Sequence, residues 1–136
     1  MKHLNTILIC ICTILVLTSC KKPATITPVD YTTARNIRYV LYTDQDFSAD
    51  NHNITFKLYI RKPNGQTLWD TVLTTMKVKD IPNSTHKLII EHTVPGNDKS
   101  TLKVGFDYTI ENIGNSWFFD AINEGELFKE VVFSFK

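Results

Sequence analysis

An all-β domain, folded as a single two-sheet sandwich of about seven short strands, is what this 136-residue sequence predicts. Three observations carry that prediction. Apolar residues recur at every second position in several stretches, turn-forming Pro, Gly and Asn clusters fall between those stretches, and no stretch behind the leader shows helical apolar spacing over a useful length.

The clearest strand is N-I-T-F-K-L-Y-I-R at 53–61. It places Ile54, Phe56, Leu58 and Ile60 on one face and Thr55, Lys57, Tyr59 and Arg61 on the other, the pattern of a strand buried on one side. T-L-K-V-G-F-D-Y-T-I-E at 101–111 repeats it, with Leu102, Val104, Phe106, Tyr108 and Ile110 facing inward. The chain closes on V-V-F-S-F-K, where Val131, Phe133 and Phe135 alternate with Val132, Ser134 and Lys136. Weaker strands are predicted at 35–43, 67–74, 86–94 and 117–121. Turns are expected at 62–66, 81–84, 94–98, 113–116 and 123–126. Pro63-Asn64-Gly65 is the strongest, because Pro presets the first turn dihedral and Asn-Gly accepts positive φ, and it should join 53–61 to 67–74 as a hairpin. Such a domain, at 35–136, resembles immunoglobulin-like or transthyretin-like sandwiches. The Cys-Trp-Cys spacing of antibody domains is absent, so strand order stays open.

The first twenty residues follow a different logic. A positively charged opening, M-K-H, leads into the uncharged run Ile7–Leu17, eleven residues long. Crossing the bilayer hydrocarbon takes about 20 apolar residues at 1.5 Å each, so the run suits a cleaved signal peptide at 1–19 and is too short for a permanent span. Leu17-Thr18-Ser19-Cys20 resembles the lipobox of bacterial lipoproteins. The resemblance implies cleavage before Cys20, a diacylglycerol on its sulfur, and an acyl chain such as palmitate on its amine. Cys10 and Cys12 would leave with the leader, so no internal disulfide is expected, and C-K-K-P offers no neighbouring ligand for a metal on Cys20. Two or three acyl chains suit stable anchoring, since each buried methylene contributes about 0.8 kcal/mol and one chain alone slips off.

Residues 20–34 read as the lipidated cysteine and a Pro- and Thr-containing tether that extends to about 46 Å at 3.3 Å per residue. The first acidic residue is Asp30, and by the same lipoprotein resemblance this favours an outer-membrane, periplasm-facing location. Loss of Lys2 with the leader leaves basic residues level with the 14 acidic ones, so no net field draws nucleic acid to the domain.

Candidate sites are few. Asp44, Asp46, Ser48 and Asp50 fall at alternate positions of a calcium-type loop, where oxygens are needed to wrap a hard cation. The pattern then departs from an EF-hand, with Ala49 at the glycine position and Thr55 at the bidentate one. A composite calcium site would need further acids, for which Asp98, Asp120, Glu124 and Glu126 are available in loops; the plainer reading is a solvated loop. His86 and His92 lie about 20 Å apart along one strand face, too far for a shared metal, and His92 fits a packed role beside Leu88, Ile90 and Val94. No nucleophile-elbow, S-x-x-K or H-E-x-x-H motif is present, so no catalytic residue is assigned. Trp117, Phe118 and Trp69 are the candidate ligand or partner contacts, since a W-F-F strand must expose at least one ring; the plainer expectation buries both tryptophans against sheet edges or the tether. Asp70-Thr71-Val72 resembles a short O-glycosylation acceptor of Bacteroidetes-type envelopes.

The chain as a whole resembles small Bacteroidetes-type lipoproteins. The expectation is a non-enzymatic binding or structural module, held at the membrane by its lipid, with an envelope protein or glycan as partner. A calcium-dependent or carbohydrate-binding module is the first alternative and a small hydrolase the second.

Overall fold

The computed structural model describes residues 34–95 and 99–136; Cys20, the leader, nearly all of the tether and Asp98 lie outside the described residues. Eight strands occur among them: β1 (Arg35–Thr43), β2 (Asn53–Arg61), β3 (Thr67–Val72), β4 (Met76–Lys77), β5 (Leu88–Val94), β6 (Leu102–Ile110), β7 (Gly114–Ile122) and β8 (Phe128–Phe135). A 3-10 turn at Val78–Asp80 follows β4. The strands form two sheets, ordered β5-β1-β8 and β3-β2-β6-β7, with β4 pairing β2 beside β3. The strands pair antiparallel except for β1 and β8, which run parallel, and an isolated parallel bridge joins Thr43 to Asn83.

The predicted sandwich is therefore present, with the two-residue β4 as the addition. Its larger sheet has the four-strand order of the C′CFG sheet of an immunoglobulin variable domain, and β1 and β5 pair as B and E do. The departure lies beside β1, where the domain's last strand takes the place of an antiparallel first strand. That parallel pairing joins the two ends of the domain in one sheet.

The alternation read from sequence becomes the core. Ile54, Phe56, Leu58 and Ile60 of β2 and Leu102, Val104 and Phe106 of β6 are buried against Ile37, Tyr39 and Leu41 of β1 and Val131 and Phe135 of β8. Tyr39 crosses the core, and its hydroxyl donates to the Tyr59 carbonyl at 2.8 Å. Burial pushes the Tyr39 phenol well above the ordinary tyrosine value. The described residues contain no cysteine, so packing and a few hydrogen bonds and ion pairs, and no disulfide among them, hold the sheets together. Each fully buried Ile, Leu or Phe contributes about 1.5–3 kcal/mol.

The 62–66 hairpin forms as predicted, with the Lys62 N–H bonded to the Gln66 carbonyl and Gly65 at φ 86°. Several boundaries move: the strands expected at 67–74 and 86–94 shorten to Thr67–Val72 and Leu88–Val94. The turn expected at 113–116 closes earlier, at 111–113, because Asn112 at φ 62° and Gly114 at φ 142° reverse the chain there. The 117–121 strand consequently lengthens to Gly114–Ile122, and the last strand starts at Phe128.

Strand direction sorts the loops into two ends. The end where the chain enters at β1 carries 62–66, the end of β5, the start of β6 and 123–127; the far end carries 44–52, 73–87 and 111–113. Buried Arg35 fastens the entry end, donating to the carbonyls of Ser100, Ile122, Asn123 and Glu126.

Candidate functional site

The acidic loop does not assemble a metal site. Phe47 turns inward onto Phe135, with ring centroids 5.2 Å apart, and the Asp50 N–H bonds back to the Phe47 carbonyl, which breaks the alternate-residue spacing that a calcium loop needs. Asp46 accepts from the Ser48 N–H and Asp50 from the His52 N–H, both at 2.9 Å, so these carboxylates cap their own turns. Those bonds hold both carboxyls below the ordinary aspartate value. Asp44 and Ser48 are exposed beside them. The composite version fails on topology: the 44–52 loop meets Glu111 and Asn112 at the far end, whereas Glu124 and Glu126 lie at the entry end. Asp120 is taken by Lys129 at 2.8 Å. Among the described residues, no group of three or more His, Cys, Asp or Glu is placed to hold a metal ion. Of the expected Asp44, Asp46, Ser48 and Asp50 set, Asp46 and Asp50 thus serve as Asx-turn acceptors, and the four are not gathered around one point.

The aromatic candidates separate by face. Trp69 sits on the inner face of β3 and stacks on His92 of β5 with ring centroids 4.2 Å apart, closing the side of the sandwich where the edge strands of the two sheets approach. Burial lowers the His92 imidazole below its ordinary value. Phe118 also turns inward, stacked on Phe133 at 5.1 Å, so it leaves the set of surface contacts. Trp117 does the opposite. It projects from the outer face of β7 and is 67% exposed, which corrects the expectation that both tryptophans pack away.

The register builds a surface around it. Val72, Lys57, Asp107 and Trp117 lie in one row across β3, β2, β6 and β7, and Thr55, Thr109 and Asn115 form the next row toward the far end. Between them runs a groove of about 380 Å³. Lys57 pairs with Asp70, and Arg61 with Asp107 at 2.9 Å, so the charges beside the groove balance, while Lys103, nearer the entry end of the same face, lies over Phe119. Thr109 donates to the Asn115 side-chain oxygen at 2.7 Å, and the Thr55 and Thr75 hydroxyls bond at 2.7 Å. Gly105 makes the flat face possible: a Cβ there would stand 2.1 Å from the Phe118 carbonyl oxygen, so only glycine lets β7 approach β6.

Trp117 also differs from every other outward ring on the strands. Arg38 lies over Phe128 at 5.6 Å, Arg61 over Tyr59 at 3.8 Å, Lys87 over Tyr42 at 4.5 Å and Lys103 over Phe119 at 3.8 Å. Four rings are capped by a cation, an arrangement that covers the π face. Among the described Phe, Tyr and Trp residues, Trp117 alone has neither a cation nor another ring against it.

Sequence reasoning missed Val72, Lys57, Asp107, Thr109 and Asn115 as neighbours of Trp117. The signal was partly present: a strand started at Gly114 puts Asn115, Trp117 and Phe119 on one face. Which residues of β2 and β3 stand beside them depends on pairing. Comparison with protein-family models, characterised proteins and solved structures finds no match for this chain.

Proposed function

We propose that this protein is a lipid-anchored, non-enzymatic binding module of the bacterial cell envelope, attached through Cys20 at the periplasmic side of the outer membrane, and that it binds through the outer face of the β3-β2-β6-β7 sheet. The observation that carries the binding reading is the bare indole of Trp117, 67% exposed, whereas the four other outward rings, Tyr59 and Phe119 on its own face and Tyr42 and Phe128 on the opposite one, are each capped. An exposed tryptophan next to satisfied polar neighbours is typical of recognition surfaces, where a rigid ring supplies contact area at little entropic cost. The non-enzymatic reading is supported by the displaced titrations. Tyr39, Tyr59 and His92 shift through burial, and Arg38, Asp46, Asp50 and Asp120 through bonds to Glu91, Ser48, His52 and Lys129 that fix turns or join strands. Anchoring is supported by L-T-S-C behind a short apolar run. Orientation agrees with use: the chain enters at the start of β1, and Trp117 lies in the half of β7 nearer the opposite end.

Hydroxyl-radical footprinting of the full chain, in intact envelopes and after purification in detergent, tests the reading. Trp117 should be protected in envelopes and labelled after purification, and mass spectrometry should find acyl chains on Cys20. Equal labelling of Trp117 in both states would end the binding reading, and an unmodified Cys20 the anchoring one.

A further inference from the structure

We infer that the groove beside Trp117 is a subsite for a neutral oligosaccharide, an assignment that rests on the binding reading above and names its ligand class. Three properties of the groove select that chemistry. One wall is the uncovered indole of Trp117, a flat apolar surface against which the C–H face of a sugar ring can stack. Its floor offers short hydrogen-bonding groups of both kinds. Asp107 uses one carboxylate oxygen on Arg61, leaving the other to accept from a ligand hydroxyl. Asn115 accepts from Thr109 through its oxygen, which orients the carboxamide N–H groups as donors toward the groove. The Thr55 hydroxyl stands in the same row. A vicinal diol both donates and accepts, so it matches this alternation.

The third property is charge. At the groove, Lys57 with Asp70 and Arg61 with Asp107 cancel, and Lys103 stands outside its lining over Phe119, so neither a polyanion nor a cation finds a complementary field there. A nucleic-acid strand, which also stacks on aromatic rings, needs a basic groove to neutralise its phosphates. A protein partner fits less well, because protein interface centres are poor in Lys, Asp, Ser and Thr, and those types dominate this lining. Size agrees as well. From Val72 to Trp117 the row crosses three strand spacings, about 14 Å at 4.8 Å each, room for a short oligosaccharide. The groove volume of about 380 Å³ lies in the range of small-ligand pockets.

The test is a printed array of neutral glycans, acidic glycans and single-stranded RNA, probed with the full-length lipoprotein in detergent. The expected result is retention on one or more neutral glycans that survives a rise in salt to about 0.5 M, where exposed charge contacts are screened. Trp117→Ala should weaken that retention at least about tenfold, the loss of one stacked ring, and Trp117→Phe should keep part of it. Near-ultraviolet circular dichroism of each variant checks that the sandwich is intact. Neutral glycans all at background, or retention only on acidic glycans or RNA that salt removes, would overturn the inference. Retention unchanged in Trp117→Ala would overturn it equally. If Trp117 is nonetheless protected in envelopes, the binding module stands and only its ligand class falls.

Discussion

The outer faces of the two sheets are built from the same materials and finished differently. On the β5-β1-β8 face, Arg38 stands at the centre, pairs with Glu91 at 2.8 Å and Glu130 at 3.8 Å, and covers Phe128, while Lys87 covers Tyr42. That face satisfies its own charges and rings. On the β3-β2-β6-β7 face, Arg61 and Lys103 do the same for Tyr59 and Phe119, yet Trp117 and Val72 stay bare at either end of one row. The difference teaches that exposure of an aromatic residue is not the informative feature of this surface; what distinguishes a candidate contact is a ring that the protein leaves without a partner of its own.

The comparison can be broken most severely at Gly105. Gly105→Ala drives a Cβ into the β7 backbone and should cost about 4 kcal/mol or more, because backbone cannot step aside as a side chain can. Thermal unfolding should fall steeply, and a variant as stable as the parent would mean that β6 and β7 are not paired in this register. Arg35→Met should cost about 3 kcal/mol by removing the donors to four carbonyls at the entry end, read from denaturant midpoints at an unchanged slope. The two tryptophans sharpen the contrast directly. Trp69→Ala, which unpicks the stack on His92, should cost about 2 kcal/mol, whereas Trp117→Ala should shift stability by less than about 0.5 kcal/mol. Equal costs would show that Trp117 packs on something.

The smallest expected effect is a pH step. Burial holds folded His92 below its ordinary value of 6.5, so the unfolded chain takes up the proton first as pH falls. Stability is therefore fully present above 6.5 and declines as pH drops through that value toward the folded one. His92→Gln should remove this step from a series of melting temperatures. The acid loss below 3.8, where Asp46, Asp50 and Asp120 are protonated, should remain.

Much of the fold was legible because a period of two is a local property. Ile54, Phe56, Leu58 and Ile60 announce their common face without reference to any partner, and Pro63-Asn64-Gly65 announces its turn. The calcium reading failed for a related reason: alternate oxygens at 44, 46, 48 and 50 imply ligation only if the backbone stays regular, and Phe47 anchors the loop by burying itself. Trp69 and Trp117 show the limit most plainly. Both lie in strands of mixed polarity, and nothing within either segment says which side meets the other sheet.

By itself, then, the sequence determined the strand content, the inward residues of β2, β6 and the end of β8, and the 62–66 hairpin. The tertiary structure alone decided that β8 lies parallel to β1, that Trp69 faces in and Trp117 out, and that Lys57, Asp107 and Asn115 stand beside that indole. The physical reason is separation along the chain. Alternation and turn chemistry act between residues a few positions apart, whereas sheet order and the neighbours of a surface ring are set by pairing across tens of residues, where burial of the whole core selects one register.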